Sequence, residues 1–308
     1  MADAFIVETT GLRKTYGSVA ALRGLDLQVP AGSICGLLGR NGAGKTTAIK
    51  LLLGMARPTA GCAHVFGLPA DVETASVEIR RRTGFVSEDK DLYDYMDVAG
   101  MIRFTAPWFP RWRADLAQRY LRRFELPPDR KVKTLSRGMR TQLALLLALC
   151  RGTELLILDE PTSGLDPAMA EIVLQALVGH VADHGTTVVF SSHQIAEVEQ
   201  IADRIAIIDR GRAVLTGSLD DLRAGFRRIE LVFEAEAPDA RVTAPGVVRV
   251  RRKGRVLTVL SSAGADAILD ETRALRPLSI DVAPVALKDI FLETVAPEDG
   301  HAVAQDVA

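Results

Sequence analysis

The sequence around residue 40 constrains the fold more than any other part of the chain. The apolar segment Ile34–Leu38 has the composition of a buried strand, and the glycine-rich segment Gly39–Gly44 that follows cannot continue it. From Lys45 to Met55, apolar residues recur at helical spacing. A buried strand, a tight loop and a helix in this order predict an α/β fold with the loop at the carboxyl end of the strand.

The loop has a sequence that suits phosphate groups. Residues 39–46 fit the pattern G-x-x-x-x-G-K-[ST], in which glycines let the backbone approach phosphate oxygens because they carry no Cβ. Lys45 would bring a positive charge to the β- and γ-phosphates, and the Thr46 hydroxyl can ligate Mg²⁺. The alternative is a glycine-rich turn without a ligand, which the flanking strand and helix disfavour. The predicted nucleotide-binding residues here are Gly39, Arg40, Asn41, Gly42, Ala43, Gly44, Lys45, Thr46 and Thr47.

A second apolar strand ends in two carboxylates. Leu155–Leu158 is followed at once by Asp159 and Glu160, and the carboxyl ends of parallel strands meet at one edge of a sheet. We therefore expect Asp159 to hold Mg²⁺ and Glu160 to orient or deprotonate an attacking water. The alternative for two adjacent acids is a solvated strand end. Together with the loop, the carboxylates indicate a nucleoside triphosphatase without specifying its kind.

The order of apolar patterns predicts two domains. Patterns at Phe5–Thr9 and Leu25–Val29 predict an antiparallel β subdomain, and α/β alternation resumes after an inserted helical lobe at about residues 89–150. In that region we expect helices at Met101–Trp108, Ala114–Phe124 and Ser136–Cys150. The predicted fold class is α/β, a P-loop NTPase core over residues 1–217 with a small α+β domain at 218–308.

Composition limits the functions that the chain can have. Lys and Arg number 38 and Asp and Glu 39, so no global field attracts nucleic acid or an anionic membrane. The apolar run Leu143–Cys150 is far shorter than the roughly 20 residues that span a bilayer. The three cysteines lack C-x-x-C spacing, so we expect packing residues rather than disulfides or a zinc site. We expect the chain to be cytosolic or to reach a membrane through a partner.

Several further segments resemble the ATP-binding-cassette (ABC) family. Three residues of the family signature Leu-Ser-Gly-Gly-Gln occur here, namely Leu135, Ser136 and Gly138. Residues similar to the family's D-loop follow the two carboxylates, namely Ser163, Gly164, Leu165 and Asp166. His193 stands at the family's switch position after an apolar strand, and Tyr16 resembles the aromatic residue on which adenine stacks. The resemblance covers about residues 5–217.

The resemblance implies a role for each of these residues. ATP would be the nucleotide, with Tyr16 against adenine, Glu160 as a catalytic residue and His193 hydrogen-bonded to the γ-phosphate. The implied Mg²⁺ ligands are Thr46, Glu88 and Asp159. Ser136 would cap its helix and contact the γ-phosphate, where the helix dipole favours an anion.

The sequence departs from the family pattern in two places. Glu88 stands where the family usually has glutamine, which keeps an oxygen acceptor but loses the amide donor. Arg137 and Met139 replace Gly and Gln of the signature, which weakens any contact assigned to those side chains. We expect Glu88 still to sense metal and nucleotide and to relay this to the helical lobe.

The resemblance also implies partners. Two copies would sandwich two ATP molecules head to tail, because the signature contact comes from the other subunit, and this arrangement is a homodimer. A separate transmembrane permease would dock beside the helical lobe near Glu88–Met101, leaving the chain peripheral on the cytoplasmic side of the membrane. Aromatic residues available for that contact are Tyr93, Tyr95, Trp108, Phe109 and Trp112. Nucleic acid is not an expected partner.

Alternative functions are disfavoured by particular segments. The segment Leu287–Glu293 resembles the tail of ATP-binding subunits from bacitracin-exporter-like, ABC-2-type transporters, which favours an exporter over an importer. A soluble ABC ATPase acting on ribosomes or DNA usually carries two cassettes or a long insertion, and this chain has neither. A P-loop kinase or GTPase would not explain Leu135–Gly138. The basic hairpin at 249–255 predicts a solvated edge, or contact with lipid headgroups or nucleic acid.

Overall fold

The computed structural model describes residues 5–295, which divide into two compact units between Thr216 and Gly217. The first unit begins with β1 Phe5–Tyr16, β2 Val19–Pro30, β3 Ile34–Leu38, α1 Lys45–Leu52, β4 Ala60–Val65, β5 Leu68–Pro69, α2 Glu73–Arg82 and β6 Thr83–Val86. It continues with α3 Val98–Thr105, α4 Ala114–Arg123, α5 Arg137–Leu149, β7 Leu155–Leu158, α6 Pro167–His184, β8 Thr187–Ser192, α7 Ile195–Ile201, β9 Arg204–Asp209 and β10 Arg212–Ser218.

A six-stranded sheet with the order β10-β9-β3-β8-β7-β6 forms the centre of the first unit. The five strands from β9 to β6 in this order pair in parallel, as their continuous apolar sequences predict. Every residue of β3, β7 and β8 is buried. The α/β fold class is therefore confirmed, and the loops after these strands emerge at one edge.

A second, antiparallel sheet with the order β2-β1-β4-β5 packs into the same core. The predicted strand segments Phe5–Thr9 and Leu25–Val29 lie inside β1 and β2, which are longer because the two strands continue pairing up to Tyr16 and Val19. The sequence did not predict β4. Its first three residues, Ala60–Cys62, are exposed and small, so they give no clear alternation of apolar and polar positions.

The helical lobe differs from its prediction mainly at helix ends. The helix α3 begins three residues before the predicted Met101 because the Asp97 carboxylate accepts a hydrogen bond from the Gly100 N–H at 2.6 Å and caps it. It ends at Thr105, and a short 3₁₀ turn with Pro107 follows. The Ser136 cap of α5 is confirmed, since its Oγ accepts from the Met139 N–H at 3.2 Å.

The second unit is a four-stranded antiparallel sheet with helices. Its elements are α8 Leu219–Gly225, β11 Arg227–Val232, β12 Val247–Lys253, β13 Val256–Ser261, α9 Ala265–Arg273, β14 Ser279–Pro284 and α10 Leu287–Val295. The strand order is β12-β13-β11-β14, and an apolar core that includes Ile229, Val259 and Ile268 lies within the unit. The predicted domain extends to residue 308, and its last thirteen residues lie outside the described part.

Three of the five basic side chains in the hairpin at 249–255 pair with carboxylates of the same unit. The guanidinium groups of Arg249 and Arg251 both pair with Glu293, at 3.8 and 2.9 Å. Arg252 lies 3.6 Å from the Glu236 carboxylate. These internal pairs favour a solvated edge over a surface for lipid headgroups or nucleic acid.

Two further expectations concern membrane spans and cysteines. In the part of the chain that the structure describes, no helix combines the length and the apolar character needed to cross a membrane.

The three cysteines are free thiols. Cys35 and Cys150 are buried, as expected of packing residues, and burial raises the pKa of each thiol to about 12. Cys62 is exposed on β4, so the expected packing role was wrong for it.

Candidate nucleotide site

Strand register brings the predicted site residues to one edge of the parallel sheet. Leu38 of β3 lies beside Ser192 of β8, and Leu158 of β7 lies beside Phe190. The glycine-rich loop, the two carboxylates and the switch histidine all follow these strand ends directly. The edge therefore gathers residues that are far apart in the sequence, as the parallel order predicts.

The glycine-rich loop joins β3 to α1 in a compact turn. The Gly39 N–H donates to the Ser192 carbonyl at 3.3 Å, and the Ala43 N–H donates to the Arg40 carbonyl at 3.1 Å. Gly44 precedes the helix with a φ of 112°, a conformation that favours glycine. The first turn of α1 carries no acidic side chain that would repel an anion. The N-terminus of this helix therefore favours a bound phosphate.

Lys45 and Glu160 form a buried ion pair at the centre of the site. Lys45 Nζ lies 3.1 Å from Glu160 Oε1, and both side chains are at least nine-tenths buried. The same ammonium donates to the carbonyls of Gly39 and Arg40 at 2.7 and 3.3 Å. The ammonium is thus surrounded by oxygen atoms of the loop and of Glu160. Phosphate groups would offer the same kind of hydrogen-bond acceptor.

His193 contacts the other oxygen of the same carboxylate. Its Nδ1 lies 2.8 Å from Glu160 Oε2, and the ring is partly exposed. Glu160 is therefore held between a lysine at the start of α1 and a histidine that follows β8. A group held this way is well placed to act on a water or a phosphate at the sheet edge.

Ser191 links the two adjacent carboxylates and was not predicted as a site residue. Its Oγ donates to Asp159 Oδ1 at 2.6 Å and accepts from the Glu160 N–H at 2.8 Å. All three residues are buried. The sequence does show a hydroxyl residue, Ser191, near the end of an apolar strand. It does not show that this strand lies beside Leu155–Leu158, and the contact with the two carboxylates depends on that pairing.

The signature segment lies against the D-loop of the same chain. Asp166 caps α6 by accepting from the Met169 N–H at 3.0 Å. Arg137 Nη2 lies 3.4 Å from Ser163 Oγ. Gly164 has a φ of 72°, and a Cβ there would come within 2.6 Å of three atoms of the Arg137 guanidinium. Arg137, a departure from the family pattern, therefore packs over the D-loop.

In the described part of the chain, the side chains of Tyr16 and Glu88 form no hydrogen bond or ion pair with the Lys45–Glu160–His193 cluster. Tyr16 is 47% exposed at the end of β1, so it is not a core tyrosine, and Lys14 Nζ lies 4.9 Å from its ring centroid. The Glu88 side chain is exposed, and its backbone carbonyl accepts from Lys90 Nζ at 3.0 Å. Adenine stacking on Tyr16 and a metal contact of Glu88 stay predictions.

The donor set suits a metal that is shared with a substrate. Within residues 5–295, no group of three or more His, Cys, Asp or Glu side chains is arranged to hold a metal by itself. Mg²⁺ is commonly held by one or two carboxylates together with substrate phosphates. Asp159 would supply such a carboxylate, and the hydroxyl of Thr46, the second residue of α1, would supply a further oxygen beside the loop.

Replacing Gly39 by alanine should destabilise the loop. A Cβ there would lie 2.5 Å from the Ile208 carbonyl oxygen, a backbone atom that cannot move without shifting β9. We expect the free energy of unfolding to fall by about 1–3 kcal/mol, together with weaker ATP binding. Gly179→Ala is the control, because its Cβ would meet only a side-chain atom at 3.8 Å. Thermal unfolding of both variants tests this, and equal melting temperatures would contradict it.

Comparison with known proteins identifies similar sequences and folds. The family model described as ABC transporter matches residues 22–163, which include the loop, the signature and both carboxylates. The daunorubicin/doxorubicin resistance ATP-binding protein DrrA of Streptomyces peucetius is 40% identical over 226 residues, which are 71% of this chain and 67% of that protein. The Nod factor export ATP-binding protein I of Cupriavidus metallidurans is 31% identical over 303 residues, 95% of this chain and 98% of that protein.

A solved structure shares the fold of more than two thirds of this chain. It is a dimeric ATP-binding cassette in a post-hydrolysis state bound to ADP and Pi, and it is 23% identical to this chain. The TM-score is 0.63, and the match covers 69% of this chain and 98% of that chain. The α/β architecture described above is therefore that of known ATP-binding cassettes.

Proposed function

This chain belongs to the family of ABC transporter ATP-binding proteins, and from that premise we propose that it is the ATP-hydrolysing subunit of an exporter. ATP hydrolysis is the activity of this family. The observation that carries the proposal is the position of Glu160, which is buried between Lys45 and His193 at the edge that receives the glycine-rich loop. Relatives named for drug resistance and Nod factor export favour export over import.

The hydrolytic step follows from the contacts of Glu160. ATP phosphates would compete with Glu160 for the ammonium of Lys45, because both are anionic oxygen partners within reach of one cation. Glu160 is then free to orient or deprotonate the attacking water. His193, already in contact with Glu160, would hydrogen-bond the γ-phosphate. Tyr16 would stack on adenine.

Mg²⁺ would be held by residues of the same edge. The Thr46 hydroxyl and the Asp159 carboxylate supply oxygen ligands, and Glu88 is the proposed third donor. Ser191 donates to Asp159, which fixes one carboxylate oxygen and leaves the other for the metal. When bound, the metal supplies positive charge that balances the phosphates.

A second copy of the chain is the proposed partner across the ATP. The N-terminus of α5, with Ser136 as its cap, is a site where a phosphate is favoured. In the proposed homodimer, Leu135, Ser136 and Gly138 of one copy face the nucleotide of the other. Shifting an open–closed equilibrium from 1:99 to 99:1 requires about 5.5 kcal/mol, which two charge-assisted sites can supply. Loss of the γ-phosphate would then let the copies separate.

The proposed membrane partner is a separate permease that docks on exposed aromatic residues. Tyr93 packs against Tyr95 and Phe104, with ring centroids 5.7 and 5.3 Å apart, and all three remain exposed. These residues follow the loop that carries Glu88, so the docked permease would lie near the nucleotide site. Binding there would keep the chain at the cytoplasmic face of the membrane as a peripheral protein. Aromatic side chains are enriched at protein interfaces.

Fractionation separates this function from the alternatives. Full-length chain should pellet with membranes only when its permease is co-expressed, and candidate cargo compounds should then stimulate its ATP turnover. Sedimentation with ribosomes or DNA, irrespective of the permease, would instead support the soluble ABC ATPase alternative. ATP-dependent cargo uptake into cells would support an importer.

Replacing Ser136 by alanine should weaken ATP-dependent dimerisation. The change removes the α5 cap and the proposed phosphate contact, and we expect the dimer dissociation constant to rise by at least about tenfold. The measurement is sedimentation with saturating ATP in a Glu160→Gln background, which prevents turnover. Ser218→Ala is the matched control, because Ser218 caps α8 through the Asp221 N–H at 3.0 Å. Equal dissociation constants for the two variants would contradict the signature contact.

A further inference from the structure

We propose that Lys90 is a positioning residue for hydrolysis, one that ties the backbone of Glu160 to the loop carrying Glu88. Lys90 Nζ donates to the Glu160 carbonyl at 3.2 Å and to the Glu88 carbonyl at 3.0 Å. Lys90 is only 5% exposed. The proposal rests on the role proposed above for Glu160 and adds a residue that the ATP-binding pattern does not include.

The Glu160 backbone needs such support because its conformation is unfavourable. Its φ is 48°, in the left-handed region that residues with a side chain rarely adopt. Lys90 itself has a φ of 49°. Two unfavourable conformations that contact each other must be held by their surroundings. The ammonium between them is a contact of that kind.

The Glu160 carbonyl is shared between two elements of the site. It accepts from the Ser163 N–H at 3.2 Å as well as from Lys90. Ser163 belongs to the D-loop, and Lys90 belongs to the segment that leads into the helical lobe. A displacement of either segment would therefore pull on the backbone of Glu160, from which its side chain extends. Lys90 thus connects the lobe to the carboxylate that activates water.

The chemistry of Lys90 argues against a role in stability alone. In the described structure its ammonium bonds carbonyl oxygens and no carboxylate lies within ion-pair distance. A buried charge without a carboxylate partner costs stability that an apolar side chain of similar length would not. A role in positioning the Glu160 backbone explains why a charged side chain occupies this buried site.

Steady-state kinetics of full-length variants test the proposal. For Lys90→Met we expect kcat to fall by about tenfold, because the variant loses the charge-assisted hydrogen bond that holds the backbone of the catalytic carboxylate. The dissociation constant for a non-hydrolysable ATP analogue should stay within about twofold, because Lys90 does not contact the loop that binds phosphate. Lys90→Arg should restore most of kcat because it keeps a charged donor. Lys133→Met, at an exposed lysine, is the control and should match the wild type.

The outcomes distinguish this proposal from the proposed function. Normal kcat in Lys90→Met, or parallel losses of kcat and analogue binding without rescue by Lys90→Arg, would overturn the role of Lys90. If Lys90→Met does not fold, Lys90→Gln is judged by the same split between kcat and analogue binding. Glu160→Gln is measured alongside. Wild-type turnover in that variant would overturn the proposed function itself, whereas an inactive Glu160→Gln beside a normal Lys90→Met would overturn only the present inference.

Discussion

Replacing Glu160 by glutamine should lower the rate of ATP hydrolysis by at least about 100-fold, because the amide keeps the shape of the side chain but cannot accept a proton from water. ATP binding should persist, since the loop and Lys45 are unchanged. The change also removes the negative charge that competes with phosphate for the Lys45 ammonium. Affinity for ATP should therefore be equal or higher. Phosphate release and binding of a fluorescent ATP analogue measure the two effects.

A matched control is available for the loss of one carboxylate. Glu234→Gln makes the same chemical change at an exposed position of the second unit. It should leave phosphate release unchanged. If Glu160→Gln hydrolysed ATP at the wild-type rate, Glu160 would not be the catalytic carboxylate.

Replacing Lys45 by methionine should lower the affinity for ATP by about 10- to 100-fold. The change removes a buried cation whose hydrogen bonds to oxygen are charge-assisted, and such bonds are worth more than neutral ones. It also leaves Glu160 without its cation at 3.1 Å, so a negative charge would face the phosphates. Both effects weaken binding of ATP.

Lys50→Met is the matched control for this second change. Lys50 lies on the same helix, α1, and is exposed. Titration of each variant with the fluorescent analogue gives the two dissociation constants. Equal constants for Lys45→Met and the wild type would show that the glycine-rich loop does not use this lysine for phosphate.

The elements predicted best from the sequence are those with a continuous apolar run or a clear capping residue. The strands Ile34–Leu38 and Leu155–Leu158 have the bounds that their apolar patterns predict. The two strands are fully buried, so a continuous apolar run marks them. The Ser136 cap was predictable because a hydroxyl that precedes an apolar helix can satisfy a free N–H group.

Elements of weaker pattern and contacts between distant residues could not be predicted in the same way. The helix α2 is mostly polar, and β6 combines a threonine and a glycine with two apolar residues, so neither has a clear period. The ion pair of Lys45 with Glu160 depends on which strands are neighbours. The same holds for the contact of Arg137 with the D-loop and of Lys90 with Glu160, which follow from packing rather than from local sequence.

The molar mass of Glu160→Gln with and without ATP tests the central claim most directly. In the proposed mechanism, two copies enclose ATP between the loop of one and the Ser136 helix of the other, and hydrolysis releases them. Sedimentation at fixed protein concentration should then show a monomer without nucleotide or with ADP, and a stable dimer with ATP and Mg²⁺. A monomer at saturating ATP, for the chain alone and with its membrane partner, would contradict the account.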